Sequence, residues 1–292
     1  MMMNHLKRIF SCFSLLGIVS LCGVSWASAS GVELSVVSQG EPKGQRVVSY
    51  DLSEGARQRV EVKTEVVVST PLVQTPQTQT QTVYLDVTIG KKQKAGGWLV
   101  TTLTDADVFK QLPGLDQLKT QTLFKPDGES KVVNLEEQLR SLRKVLGEQG
   151  AVAEKMLDSL TSATSSAGMR LPKVPVGKGA VWTVKSTEML GQLGGTELLS
   201  RYTLKKLTKT SAELHFEADI DMSGILGDAA AQAGLKMKMT NMKMSGTYLI
   251  RFDRTLATGK VRSEMRLETT LPSGDVSTMN MVTHVTMSER AR

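Results

Sequence analysis

Apolar and polar residues alternate along much of this chain with a period of two. Between Ala56 and Ser69, Val60, Val62, Val66 and Val68 fall on one side of an extended backbone, and Arg57, Arg59, Glu61, Lys63 and Glu65 on the other. A helix would scatter these positions around its circumference, so the pattern predicts a strand with one buried face. The turn residues Ser53-Glu54-Gly55 precede it, and Val47 to Leu52 before them read as its hairpin partner. Alternation returns at Val83, Leu85, Val87 and Ile89 and again from Trp98 to Leu103, after Gly96-Gly97. Between these lies a Thr- and Gln-rich stretch, Thr70 to Thr82, in which Pro71 and Pro76 exclude the middle of a sheet and leave a loop or a polar edge strand.

The same period governs the C-terminal part. Ala212, Leu214, Phe216, Ala218, Ile220 and Met222 oppose Glu213, His215, Glu217, Asp219 and Asp221, and Val261, Met265, Leu267 and Leu271 oppose Lys260, Arg262, Glu264, Arg266 and Glu268. Each such strand has one dry and one wet face, as in an antiparallel meander. Turns are expected at Gly191 to Gly195, Lys209-Thr210, Ala257 to Gly259 and Pro272-Ser273-Gly274.

A different period appears in between. Leu135, Leu139, Leu142 and Leu146 form one helical stripe, with Asn134 as N-cap, Glu137 at the capping-box position and Gly147 as its end. A second helix is expected over 151–160, and a small hairpin at Pro126-Asp127-Gly128 within the same insertion. The predicted fold class is mainly β with a helical insertion (α+β). Long antiparallel strands form a curved sheet or incomplete β-barrel, on which a helical hairpin packs. The segments are 30–104 (β hairpins), 105–170 (insertion) and 171–292 (C-terminal sheet), read as one continuous domain after a leader over 1–29.

That leader rests on Lys7 and Arg8, the apolar run Ile9 to Val24, and Ala27-Ser28-Ala29, whose small residues suit a signal peptidase. Ser30 is the expected mature start, with cleavage after Ala27 as the alternative. A retained anchor and a lipoprotein built on Cys22 are weaker readings; Leu21 stands where lipidation needs a small residue. Cleavage would remove both cysteines, Cys12 and Cys22, and lower the net charge from +7 to +5 (36 basic residues less Lys7 and Arg8, against 29 acidic). The basic residues are scattered, and aromatics make up 4% of the chain, so no nucleic-acid surface is indicated. The expected location is outside the cytoplasm, periplasmic or secreted, with no membrane span after cleavage. An outer-membrane barrel is a third class, disfavoured by the few aromatics and by the ending Ser288-Glu289-Arg290-Ala291-Arg292.

No catalytic motif is present, so no enzyme is expected, and no metal or cofactor either. His215 sits on the polar face of its strand between Glu213 and Glu217. A cation site there competes with a solvated face whose acids pair with Arg201 or Lys205, and the second reading is preferred. His284 reads as a sheet-surface residue, and Ser141 to Lys144 as a chance S-x-x-K on the helix.

Methionine is the unusual component. Eight lie between residues 235 and 287: Met237, Met239, Met242, Met244, Met265, Met279, Met281 and Met287. Because Met239 and Met242 are three apart, the apolar face changes phase near Thr240-Asn241, and a β-bulge there would keep these side chains on one side. Flexible, polarizable methionines adapt to irregular apolar guests, so these eight are the candidate lining of a ligand face; the competing assignment is ordinary core filling.

Two stretches carry a resemblance: Pro175-Val176-Gly177-Lys178-Gly179-Ala180-Val181-Trp182, and Phe252-Asp253 followed by Thr258-Gly259-Lys260-Val261-Arg262-Ser263. They resemble an uncharacterised family of exported bacterial β-rich proteins, in which they would act as turns and strand starts. More loosely, the predicted architecture is similar to periplasmic lipoprotein and lipid carriers of the Lol type. The expected function is a non-catalytic binding protein carrying a lipid-like or lipoprotein acyl ligand. The alternative is a structural or interaction module of the cell envelope with a protein partner and no small-molecule ligand.

Overall fold

The computed structural model describes residues 33–71, 75–94, 96–106, 118–134, 137, 140, 169–189, 195–220, 236–239, 242–270 and 276–291. These residues are mainly β, and their strands form one large antiparallel sheet. The strands are β1 (Glu33–Ser38), β2 (Arg57–Ser69), β3 (Gln77–Lys92), β4 (Trp98–Ala106), β5 (Leu118–Phe124), β6 (Ser130–Val132), β7 (Val181–Met189), β8 (Gly195–Leu207), β9 (Ser211–Ile220), β10 (Lys236–Met239), β11 (Met242–Arg251), β12 (Thr258–Thr270) and β13 (Val276–Glu289). Their spatial order is β1-β7-β8-β9-β11-β12-β13-β2-β3-β4-β5-β6, with β10 also on β12.

Two meanders, β2 to β6 and β7 to β13, therefore meet where β13 pairs with β2, from Asn280 opposite Ser69 to Glu289 opposite Val60. Alternation built these strands as the sequence implies: β2 and β9 bury every second residue, Val60 and Val62 in one, Leu214 and Phe216 in the other. The phase change near residue 240 is visible in the register with β12. Met239 lies opposite Leu267 and Lys243 opposite Glu264, so four steps along one strand match three along the other. One extra residue is what a bulge inserts.

The sheet is rolled but not closed. Laid flat, twelve strands at roughly 4.8 Å spacing would hold β1 and β6 about 50 Å apart. Instead Leu34 and Val36 of β1 share one cleft with Asp127 of the β5–β6 turn. The edges are drawn together at the end of the strands where the turns are short. There the segment after β1 runs beneath the sheet and bonds to several turns: Tyr50 N–H to Pro126 O at 2.8 Å, Asp51 N–H to Phe252 O at 2.7 Å, and Arg46 paired with Val176. Arg46 also donates to the Thr208 carbonyl, and its guanidinium lies 5.4 Å from the Phe252 ring centre. The Leu171 N–H donates to Asp127 O at 2.9 Å, which ties the far edge to the chain that leads into β7. Gly128 sits in this crossing with φ +80°, and a Cβ there would collide with Met169 O.

Three expectations change. Val47 to Leu52 is not a strand: Val48, Tyr50 and Leu52 are buried alternately, but their backbone bonds go to turns, since the sheet position beside β2 is taken by β13. The hairpin at Pro126-Asp127-Gly128 is not the insertion's own but the last turn of the main sheet, because β5 pairs with β4 over seven residue pairs. Of the two alternatives for the Thr- and Gln-rich stretch, Gln77 to Thr82 takes the polar edge strand: β2 is its neighbour, and β4 begins pairing only at Val83. Among the described residues there is almost no helix, so the helical layer expected on the sheet is not supported. The helical pattern from Asn134 to Leu160 falls outside the described residues apart from Asn134 itself and Glu137 and Arg140, the latter two with helical backbone.

Candidate functional site

The inner face of the rolled sheet carries the features that set this chain apart. Near the short-turn end it is aromatic. Trp182, Tyr202 and Phe216 occupy matching positions on β7, β8 and β9, with ring centres 5.8 Å and 5.4 Å apart, and Tyr248 on β11 meets Phe216 edge-on at 5.8 Å. Gly246 stands directly opposite Phe216, and a Cβ on it would strike the backbone of Lys260 and Val261. The bare glycine lets β11 and β12 approach beneath the aromatic row.

Towards the opposite end the face becomes aliphatic and rich in methionine. Met265 lies opposite Met281, Met281 opposite Val68, and Met242 opposite Ile220, all buried. Met244 is buried beside Ala218 and Ser263. Met279 is partly buried opposite Leu267, and Met287 is partly buried opposite Gly259 and Val62, away from the others at the short-turn end. Met237 and Met239 face Thr269 and Leu267 in register, and their side chains lie outside the described residues. The structure thus gathers Met242, Met244, Met265, Met279 and Met281 towards one end of the apolar face, with Met287 packed against the same core at the other end.

Hydroxyl groups interrupt this face, a feature the sequence reading passed over. Thr283 lies opposite Ser263 and Val66, and Thr64 stands opposite Val285, so three hydroxyl residues meet at the centre of the sheet, all buried. On β4 and β5, Thr102, Thr104, Thr120 and Thr122 point inwards and are buried too. The hydroxyls of Thr283, Thr104 and Thr120, and Trp182 Nε1, have no hydrogen-bond partner among the described residues. Each such group costs about 1–3 kcal/mol when buried unpaired. The signal was legible: Thr64, Ser263 and Thr283 stand in phase with valines and methionines, where an ordinary core strand carries an aliphatic residue.

The outer face is charged and solvated. His215 is 3.4 Å from Glu217, and Glu217 lies opposite Arg201. His284 is flanked by Arg262 and Glu65. Among the described residues, no three His, Cys, Asp or Glu side chains are grouped to hold a metal ion.

Where the two sheet edges approach, a second site appears: an open cleft of about 580 Å³ between β1 and residues 170–174. Its charged wall is built on Asp127. Arg170 approaches that carboxylate at 3.7 Å and Lys173 at 3.2 Å, while Arg170 also binds Glu129 at 3.1 Å. Burial acts to raise the Asp127 carboxyl, but the Glu129 amide, Lys173 and Arg170 together outweigh it and hold the group below the usual aspartate value.

Comparison with the curated proteins returns no match. Among solved structures, DynF from the dynemicin biosynthesis pathway of Micromonospora chersina aligns over 86% of this chain and 91% of its own, at 10% identity and a TM-score of 0.18. A superposition that poor transfers neither fold nor function. The likeness to Lol-type carriers gains no support from these matches. Residues 135–259, which include Pro175 to Trp182 and Phe252-Asp253, match the model of a family of unknown function (DUF6263), in keeping with the resemblance to an uncharacterised family.

Proposed function

We propose that this chain is a non-catalytic binding protein acting outside the cytoplasm, and that the inner face of its sheet takes an amphipathic, lipid-like molecule or the acyl chains of a lipoprotein. The observation that supports this is the pairing of a methionine-rich apolar surface with buried hydroxyls that have no partner among the described residues. An acyl chain satisfies the first, and a headgroup or ester oxygen the second. Native cores rarely leave such groups unpaired, because the cost falls directly on a small net stability. Methionine side chains repack around guests of differing length, which suits a carrier more than a fixed core.

On this reading the sheet is an incomplete barrel. Export would proceed by cleavage after Ala29, giving a mature chain without cysteine.

Native mass spectrometry of protein purified from an envelope fraction is the direct test. It should show a bound mass that solvent extraction removes, and the emptied protein should take up a fluorescent fatty acid. Protein that is ligand-free when isolated and excludes the fatty acid would exclude the carrier and leave the envelope interaction module.

A further inference from the structure

The two outermost strands of the sheet differ in how they end it. β6 is three residues long, Ser130-Lys131-Val132, and carries a lysine, two standard means of stopping an edge from pairing with another chain. β1 has neither. It runs Glu-Leu-Ser-Val-Val-Ser over Glu33–Ser38, pairs with β7 on one side, and has no strand on the other among the described residues. Its outward backbone N–H and C=O groups border the cleft of about 580 Å³. Val37 is 60% exposed there and Val174, on the opposite wall, 38%. Leu34 and Val36 turn inward against the core, and Leu171 lies buried within the cleft wall.

We propose that this cleft is a docking site for an extended peptide segment of a partner protein, which adds as a strand to the free edge of β1. A row of unpaired backbone groups recognises another extended backbone, and flanking pockets select alternate side chains. A guest strand beside β1 continues the pleat, so every second side chain points inward beside Leu34, Val36 and Leu171 and should be apolar. In the facing wall at 170–174 Arg170 is shared between Asp127 and Glu129, while Lys173 touches Asp127 alone and is largely exposed, so a carboxylate on the guest at the Ser38 end of the strand would meet the Lys173 ammonium. The site is separate from the inner-face ligand proposed above and does not depend on it.

The test uses the full mature chain and a fluorescent hexapeptide of alternating valine and threonine ending in aspartate. It should bind saturably and slow hydrogen exchange at residues 33–38. N-methylation of alternate residues along its bonding edge should weaken binding at least about tenfold, since each lost N–H removes a ladder bond. Val37→Lys, at an exposed position, should weaken it several-fold while leaving the melting temperature unchanged; Lys173→Glu should weaken it as strongly with a modest loss of stability, because it sets a carboxylate beside Asp127, and a charge-reversed peptide ending in lysine should recover affinity for that variant. Absence of saturable binding, indifference to N-methylation, or indifference to both substitutions would overturn the proposal.

Discussion

The carboxamide of Gln58 binds both backbone groups of Leu256: its Nε2 donates to the Leu256 carbonyl at 3.0 Å, and its Oε1 accepts from the Leu256 N–H at 3.2 Å. Gln58 is buried on the inner face of β2, where its neighbours in phase are valines. It behaves as a piece of strand edge supplied by a side chain, fastening the turn between β11 and β12 to the other meander. Gln58→Leu removes both bonds and leaves two buried backbone groups unpaired. The variant should lose at least about 1–3 kcal/mol in urea unfolding, whereas Gln93→Leu, at an exposed turn position, should lose less.

Gly128 and Gly44 both adopt left-handed backbone, at φ +80° and +82°, but only Gly128 has atoms where a Cβ would go. Gly44→Ala should cost about 1–2 kcal/mol, the conformational penalty alone. Gly128→Ala should cost clearly more, because Met169 O must move and with it the link between the β5–β6 turn and the chain leading to β7. Thermal unfolding of the two variants side by side measures the difference.

The unpaired hydroxyl of Thr283 yields a prediction of opposite sign. Thr283→Val removes a buried polar group that has no partner among the described residues, so the ligand-free variant should be more stable by up to about 1–2 kcal/mol. If the hydroxyl serves a bound molecule, the same change should lower the affinity for a fluorescent fatty acid or its ester. Chemical denaturation and titration of one preparation give both quantities, and a loss of stability in the ligand-free state would refute the assignment of Thr283 as an unpaired group.

Acid should act through Asp127. Its folded-state proton affinity lies below the unfolded value, so protons favour the unfolded chain. The stabilisation is complete above about pH 4 and declines as pH falls through the folded value. Asp127→Asn should therefore be less stable than the parent near neutral pH, with the gap narrowing towards pH 2. Urea midpoints at the two pH values check it.

Much of this fold was legible because a sheet with one buried face writes itself into sequence as strict alternation. β2, β9 and β12 could be read almost residue by residue, and the one-residue slip between Met239 and Met242 foretold the register change that β12 records. Val47 to Leu52 shows the limit. Its alternation reports burial correctly, but periodicity says nothing about which carbonyls receive the backbone bonds, and here they belong to turns at Pro126 and Phe252. The site was half legible for a related reason. Methionine stands out by rarity, while threonine passes as an ordinary strand former until its neighbours across the sheet are known, as with Thr283 and Ser263.

The pairing of β13 with β2 joins residues as distant in sequence as Val60 and Glu289. Each meander can assemble from neighbours as it emerges, but the middle of the sheet waits for the last strand to be delivered. Contacts of such long range slow folding. On the export route proposed above, a chain still threading through a membrane pore would thus hold two separate halves and no complete core, and would stay easy to pull through until Val276–Glu289 arrives to join them.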